Sequence, residues 1–171
     1  FSEIYEKNIF GGRASRSGEG SDLMQTEVIR RELPALVKKL GIRTFLDAPC
    51  GDWYWMRHTN LDVEHYIGVD IVEALIEKNK NEFGNASTSF RCLNLAQDDL
   101  PAADLIFSRD CLVHLSLDDA QRILANFKRT GAKYLLTTTF VERKKNADLV
   151  GKHGFWRPLN MQLPPFNFPA P

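Results

Sequence analysis

The stretch Thr44-Phe45-Leu46-Asp47-Ala48-Pro49-Cys50-Gly51-Asp52-Trp53 decides the fold. Its apolar run, Phe45-Leu46, ends in an acid. A Pro/Cys/Gly turn follows at once, then aromatics at Trp53 and Trp55. An apolar run closed by a tight turn reads as a parallel strand entering its first strand-to-helix loop. In an open parallel sheet that loop lies at the carboxyl edge, where ligands bind. A second apolar run, Tyr66-Ile67-Gly68-Val69, ends in Asp70, 23 residues after Asp47. An acid closing the second strand, about 20 residues past a glycine turn, is placed to accept hydrogen bonds from ribose hydroxyls.

Strands and helices alternate outward from this pair. Before it, Leu23, Val28, Ile29, Leu33, Leu36, Val37 and Leu40 recur at helical spacing. Ser21 or Asp22 is the candidate cap, Gly41 the stop, and Pro34 predicts either a kink or two shorter helices. After it, Trp53 to Thr59 suggests a short helix and Val72 to Phe83 a longer one. Ser89 to Leu93 reads as a third strand and Asp104 to Phe107 as a fourth. Leu117 to Thr130, capped by Ser116, reads as a helix, and Lys133 to Thr138 as a fifth strand. This order predicts an α/β fold, a Rossmann-like parallel sheet with right-handed crossovers and helices on both faces. Three segments are expected: residues 1–22 folded over the site, a core at 23–140, and an extended C-terminal segment at 141–171.

With 171 residues the chain suits one domain, and 22 basic against 22 acidic side chains give no reason to expect nucleic acid or a membrane surface as partner. No apolar run approaches the roughly 20 residues of a membrane span, and no signal-peptide pattern is seen. Cys50, Cys92 and Cys111 lack metal-site spacing, so no metal is expected, and three unpaired cysteines fit a reducing, cytoplasmic setting. The chain starts at Phe1 and ends in Phe168-Pro169-Ala170-Pro171, which suggests a piece of a longer protein.

At this point the residues resemble class I S-adenosylmethionine-dependent methyltransferases, over about Leu23 to Thr139. Four landmarks carry the resemblance, in order. They are Leu46-Asp47-Ala48-Pro49-Cys50-Gly51-Asp52-Trp53, Gly68-Val69-Asp70-Ile71, Asn94-Leu95 ahead of Leu100-Pro101, and Ala103-Asp104-Leu105-Ile106-Phe107-Ser108-Arg109-Asp110. Three departures stand out. Pro49 and Trp53 occupy places where the family carries glycine, which stiffens the loop and sets Trp53 near the methionine end. Asn94 stands where the family has an acid. The family's last two strands are not visible.

The resemblance implies S-adenosylmethionine as cofactor, held by Asp47, Ala48, Pro49, Gly51 and Trp53 from the first loop and by Asp70 and Ile71 from the second strand end. Asn94, Leu95, Ser108 and Arg109 complete the implied set. Asp47 is expected to reach the cofactor's amino group. Ile71 either lies against the adenine or packs in the core. Ser17-Gly18-Glu19-Gly20-Ser21 either wraps the cofactor's carboxylate, with Arg13 or Arg16 as charge partner, or is a linker. Trp53, Trp55, Phe155 and Trp156 line an acceptor pocket or serve the core. Asp110 and His114 are the candidate catalytic pair. If a helical turn joins them they share one face, and they remove a proton from an acceptor hydroxyl or amine. A structural histidine is the alternative. The implied activity is methyl transfer to an O or N nucleophile of a small molecule, a reaction that needs little beyond alignment. A catalytically silent binding module and a dinucleotide-dependent oxidoreductase stay open, the latter weakened by the lack of a GxGxxG turn. Oligomeric state is left open.

Overall fold

The computed structural model describes residues 1–149 and 155–170; residues 150–154 and 171 of the expected C-terminal segment lie outside them. Five strands form its sheet: β1 (Thr44–Asp47), β2 (His65–Asp70), β3 (Thr88–Cys92), β4 (Leu105–Ser108) and β5 (Tyr134–Thr137). All neighbours pair in parallel, in the order β3-β2-β1-β4-β5. The direction of winding therefore reverses between β1 and β4, which opens a crevice at the carboxyl ends of those strands. No strand follows β5 among the described residues.

Alternation along each strand sorts the core into two layers. Phe45, Tyr66, Phe90, Leu105 and Phe107 face helices α2 (Glu27–Leu40) and α3 (Glu73–Phe83), through Leu33, Val37, Leu75 and Ile76. Leu46, Ile67, Val69 and Ile106 face helix α4 (Leu117–Arg129), through Ala120, Ile123 and Phe127. Leu159 and Met161 of the C-terminal segment join this second layer, with Phe166 and Phe168 packed beside them. Helices thus cover both faces.

The differences from the expected elements are local. α2 is one helix through Pro34, and it starts at Glu27 rather than near Leu23. The Thr26 hydroxyl bonds back to the Asp22 carbonyl at 2.8 Å, which keeps 22–26 in a turn. The Trp53–Thr59 stretch makes only a 3₁₀ turn, Met56–His58. The N-terminal segment holds a short helix, α1 (Ser2–Glu6), that the polar composition did not suggest. The N-cap of α2 is Thr26 and not Ser21 or Asp22, while two other helix marks work as read. Gly41 ends α2 in the left-handed conformation (φ 64°), and the Ser116 hydroxyl accepts from the Asp119 N–H at the start of α4. No helix among the described residues is long and apolar enough to cross a membrane.

Gly68 sits at the centre of the sheet, paired with Asp47 and Phe90. A Cβ there would lie 2.7 Å from the Phe90 ring and 3.0 Å from the Cys50 sulfur. Gly68→Ala is therefore expected to destabilise the fold by about 2 kcal/mol, an overpacking cost. Urea denaturation checks this, and an unchanged midpoint contradicts it.

Candidate active site

The carboxyl edge of β1, β2 and β4 opens into a cleft of about 570 Å³. That size is typical of small-molecule sites. Its walls include Asp47, Pro49, Gly51, Asp70, Ile71, Asn94, Leu95, Arg109, Asp110 and His114. Three residues expected there are elsewhere. Ala48 is fully buried, with its N–H on the Phe107 carbonyl at 2.8 Å, so it stitches β1 to β4. Ser108 is fully buried at the end of β4. Trp53 adopts φ 54° and turns into the α3 side of the core, with ring centroids 5.0–5.5 Å from Phe83, Phe90 and Tyr66. It adds no bulk to the cleft. Of the other aromatics, Trp55 and Trp156 line the cleft and Phe155 does not.

The two strand-end acids face this one cleft. Asp70 is oriented by two backbone donors, Gly51 N–H on Oδ2 at 3.2 Å and Val72 N–H on Oδ1 at 3.1 Å. Burial pushes its pKa up against the pull of these donors. Asp47, on the same sheet face as Phe45, accepts from the Tyr66 hydroxyl. Burial raises its pKa to about 8, the Tyr66 bond opposes the rise, and the nearby Asp70 charge adds to it. Asp47 therefore carries a proton at neutral pH when no cation is beside it. Ile71 is 45 % exposed, so it is a wall of the cleft and not core packing.

Two buried asparagines hold the loops from behind. Asn79 of α3 donates to the Gly51 carbonyl at 2.9 Å. Asn126 of α4 donates to the Leu95 and Asp98 carbonyls at 2.8 and 2.7 Å. Asn94 closes its own turn, with its side-chain oxygen accepting from the Ala96 N–H at 3.0 Å. An amide does this as well as a carboxylate.

The segment after β4 differs from the helical turn expected of it. Asp110 is in the left-handed region (φ 52°), and a 3₁₀ turn, Leu112–His114, follows. Asp110 has a partner at its N–H and at each carboxylate oxygen. Its N–H and Oδ1 both bond to the Thr138 hydroxyl, at 2.9 and 3.0 Å, and Arg109 lies 3.2 Å from Oδ2. This makes Asp110 an anchor of the loop. His114 packs on the Phe10 ring at 5.1 Å, and its Nδ1 lies 3.2 Å from the Phe155 carbonyl. A carbonyl only accepts, so Nδ1 bears the hydrogen, and neutral His114 has its basic nitrogen at Nε2.

The turn carrying His114 is clamped by Arg157, a residue that nothing in the sequence pattern marks. Its guanidinium donates to the Leu112, Leu115 and Ala147 carbonyls, and its N–H donates to Val113. Arg157 is 6 % exposed, and burial lowers its pKa. Arg157→Ala strands the Leu115 and Ala147 carbonyls, while the Leu112 carbonyl keeps the Leu115 N–H at 3.3 Å, and an unmet buried acceptor costs about 1–3 kcal/mol. The substitution is expected to destabilise by about 3 kcal/mol, and a thermal midpoint within 1–2 °C of wild type contradicts this.

The N-terminal segment supplies the remaining wall, through Phe1, Ile4, Tyr5, Phe10, Arg16, Ser17, Gly18 and Gly20. Arg16, a candidate charge partner, lies in the cleft wall with its guanidinium held by the Tyr5 and Glu6 carbonyls and over the Tyr5 ring. Arg13 is not in the cleft wall. Asp52, next to the loop glycine, also lies in the cleft wall, and no local pattern in the sequence marks it. No group of three or more His, Cys, Asp or Glu side chains among the described residues could hold a metal ion.

Known structures share this architecture. Human N-acetylserotonin methyltransferase, solved in complex with SAM, matches 80% of this chain at 14% identity and a TM-score of 0.58. An amino pentose methyltransferase from Micromonospora echinaspora, solved with SAM bound, matches 85% at 12% identity and a TM-score of 0.57. A bacterial Hen1 methyltransferase domain matches 80% at 18% identity and a TM-score of 0.58. These chains are covered over 44%, 60% and 78% of their own lengths, so this chain spans less than half of the human enzyme. At such identities the likeness is one of fold. No curated protein matches the sequence. A sequence model described as a methyltransferase domain matches residues 45–132, the run from β1 to the end of α4, and by that match the chain belongs to the methyltransferase domain family.

Proposed function

We propose that this chain is an S-adenosylmethionine-dependent methyltransferase acting on an O or N nucleophile of a small molecule. The single observation that carries the reading is the meeting of Asp47 and Asp70, from neighbouring strand ends, in one cleft. The donor set fits the cofactor's chemistry. Asp70, aimed by two backbone N–H groups, can accept both hydroxyls of a ribose. Ile71 offers a flat base an apolar face, and Leu95 adds a further apolar group to the cleft wall. Asp47 offers a carboxylate to an amino group. S-adenosylmethionine supplies, when bound, a methyl group on a sulfonium, activated without help from the protein.

The chain's remaining task is alignment and a proton. Asp110, tied to Thr138 and Arg109, holds the loop after β4 in place. His114, in the cleft wall beside the loop after β4, takes the acceptor's proton, and its Nδ1 lies against the Phe155 carbonyl. The aromatic side chains Phe10, Trp55 and Trp156 in the cleft wall favour a small acceptor with an apolar body.

Calorimetric titration tests the reading. S-adenosylhomocysteine and S-adenosylmethionine are expected to bind with Kd values in the micromolar range, and NAD is expected to give no heat at about 1 mM. Tight NAD binding without affinity for S-adenosylhomocysteine would reverse the assignment in favour of an oxidoreductase.

A further inference from the structure

Asp52 makes more contacts with the N-terminal segment than any role in its own loop requires. Its Oδ1 accepts from the Ser15 hydroxyl at 2.9 Å and the Ser17 hydroxyl at 3.3 Å, and its Oδ2 accepts from the Arg16 N–H at 2.9 Å. In return the Ser17 hydroxyl accepts from the Asp52 N–H at 3.2 Å. One carboxylate thus grips three consecutive residues 35 to 37 positions away. Ser15 is buried to 1 % exposure at this contact.

The neighbouring glycine gives an independent sign of the same docking. A Cβ on Gly51 would lie 2.3 Å from the Ser17 Oγ and 3.2 Å from its Cβ. The space beside this glycine is therefore taken by the N-terminal segment. At the other end of the same segment, the Gly20 carbonyl accepts from Arg109 at 3.0 Å. Residues 15–20 are accordingly tied at one end to the loop after β1 and at the other to the loop after β4. Between the ties, Ser17, Gly18 and Gly20 face the cleft.

We infer that Asp52 is a positioning residue of the donor site: it fixes residues 15–20 as a strap across the β1–β4 crevice, and a donor held beneath leaves only when this tie opens. The inference rests on the donor reading above and adds a residue to it. Asp52 acts through the strap and need not touch the donor. Four hydrogen bonds, three of them to the Asp52 carboxylate, hold this end and one holds the Arg109 end, so cutting the Asp52 tie removes most of what keeps the strap in place.

The test measures release of S-adenosylhomocysteine by stopped-flow tryptophan fluorescence, with the Kd from calorimetry, in the full chain. Asp52→Ala is expected to speed release and weaken binding about tenfold. A Ser15→Ala/Ser17→Ala variant is expected to do the same, and combining it with Asp52→Ala to add nothing further, since both cut one tie. Trypsin cleavage after Arg13 and Arg16 is expected to quicken in Asp52→Ala. Asp52→Asn, which keeps the size and one accepting oxygen, replaces the alanine variant if that fails to fold, with a smaller effect in the same direction. Release at the wild-type rate from Asp52→Ala, or effects of the two variants that multiply, overturns the inference. Failure of the wild type to bind S-adenosylhomocysteine overturns the donor reading instead, so the two failures are told apart.

Discussion

Asp70→Ala is expected to weaken S-adenosylhomocysteine binding about a hundredfold. The carboxylate is held at the end of β2 by the Gly51 and Val72 N–H groups, so its remaining lone pairs are aimed before any ligand arrives. Two vicinal hydroxyls on one carboxylate make two charge-assisted bonds, each worth about 1.5–3 kcal/mol. Losing them costs about 3 kcal/mol after water replaces part of the contact, which is the hundredfold. Asp70→Asn keeps the shape and one good acceptor, and an intermediate loss is expected. Calorimetry gives both values, and circular dichroism confirms that the sheet persists. A Kd within threefold of wild type for Asp70→Ala would contradict the role.

Binding is also expected to weaken as pH falls, by about twentyfold between pH 8.5 and pH 6.5. The cause is Asp47. Burial first, then the Asp70 charge, raises its pKa to about 8 against the opposing Tyr66 bond. An amino group paired with Asp47 needs the carboxylate, so it lowers that pKa, and binding below pH 8 releases a proton. The sign follows. Above pH 8 the carboxylate is already present and affinity is flat. Below it, each binding event must expel a proton, and affinity falls up to tenfold per pH unit. The measured enthalpy at pH 7 is then expected to depend on the buffer's ionisation enthalpy. Asp47→Asn is expected to bind weakly at every pH and to remove the slope. A wild-type affinity constant from pH 6.5 to 8.5 would show that Asp47 meets no cation.

The fold could be read from the sequence because its signals are short-range. β1, β2 and β4 are apolar runs closed by an acid or a turn, and Gly41 and Ser116 mark helix ends with their own chemistry. The acids at Asp47 and Asp70 were legible for the same reason, since strand ends in a parallel sheet must share an edge. What was not legible depends on direction and on distance along the chain. The position of Trp53 in the loop points to the cleft, but at its positive φ the ring packs into the core. Ala48 and Ser108 hold the expected places in the chain, but both are fully buried and neither is in the cleft wall. A helical turn was needed to pair Asp110 with His114, and the left-handed Asp110 prevents it. Asp52 and Arg157 reach partners about 35 to 45 residues away, which no local pattern announces.

The most direct measurement is a crystal structure of the chain with S-adenosylhomocysteine. The account predicts both ribose hydroxyls within hydrogen-bond distance of the Asp70 carboxylate, the amino group at Asp47, and the adenine against Ile71. A ligand bound in the cleft with its ribose away from Asp70, or bound outside the cleft, would contradict it.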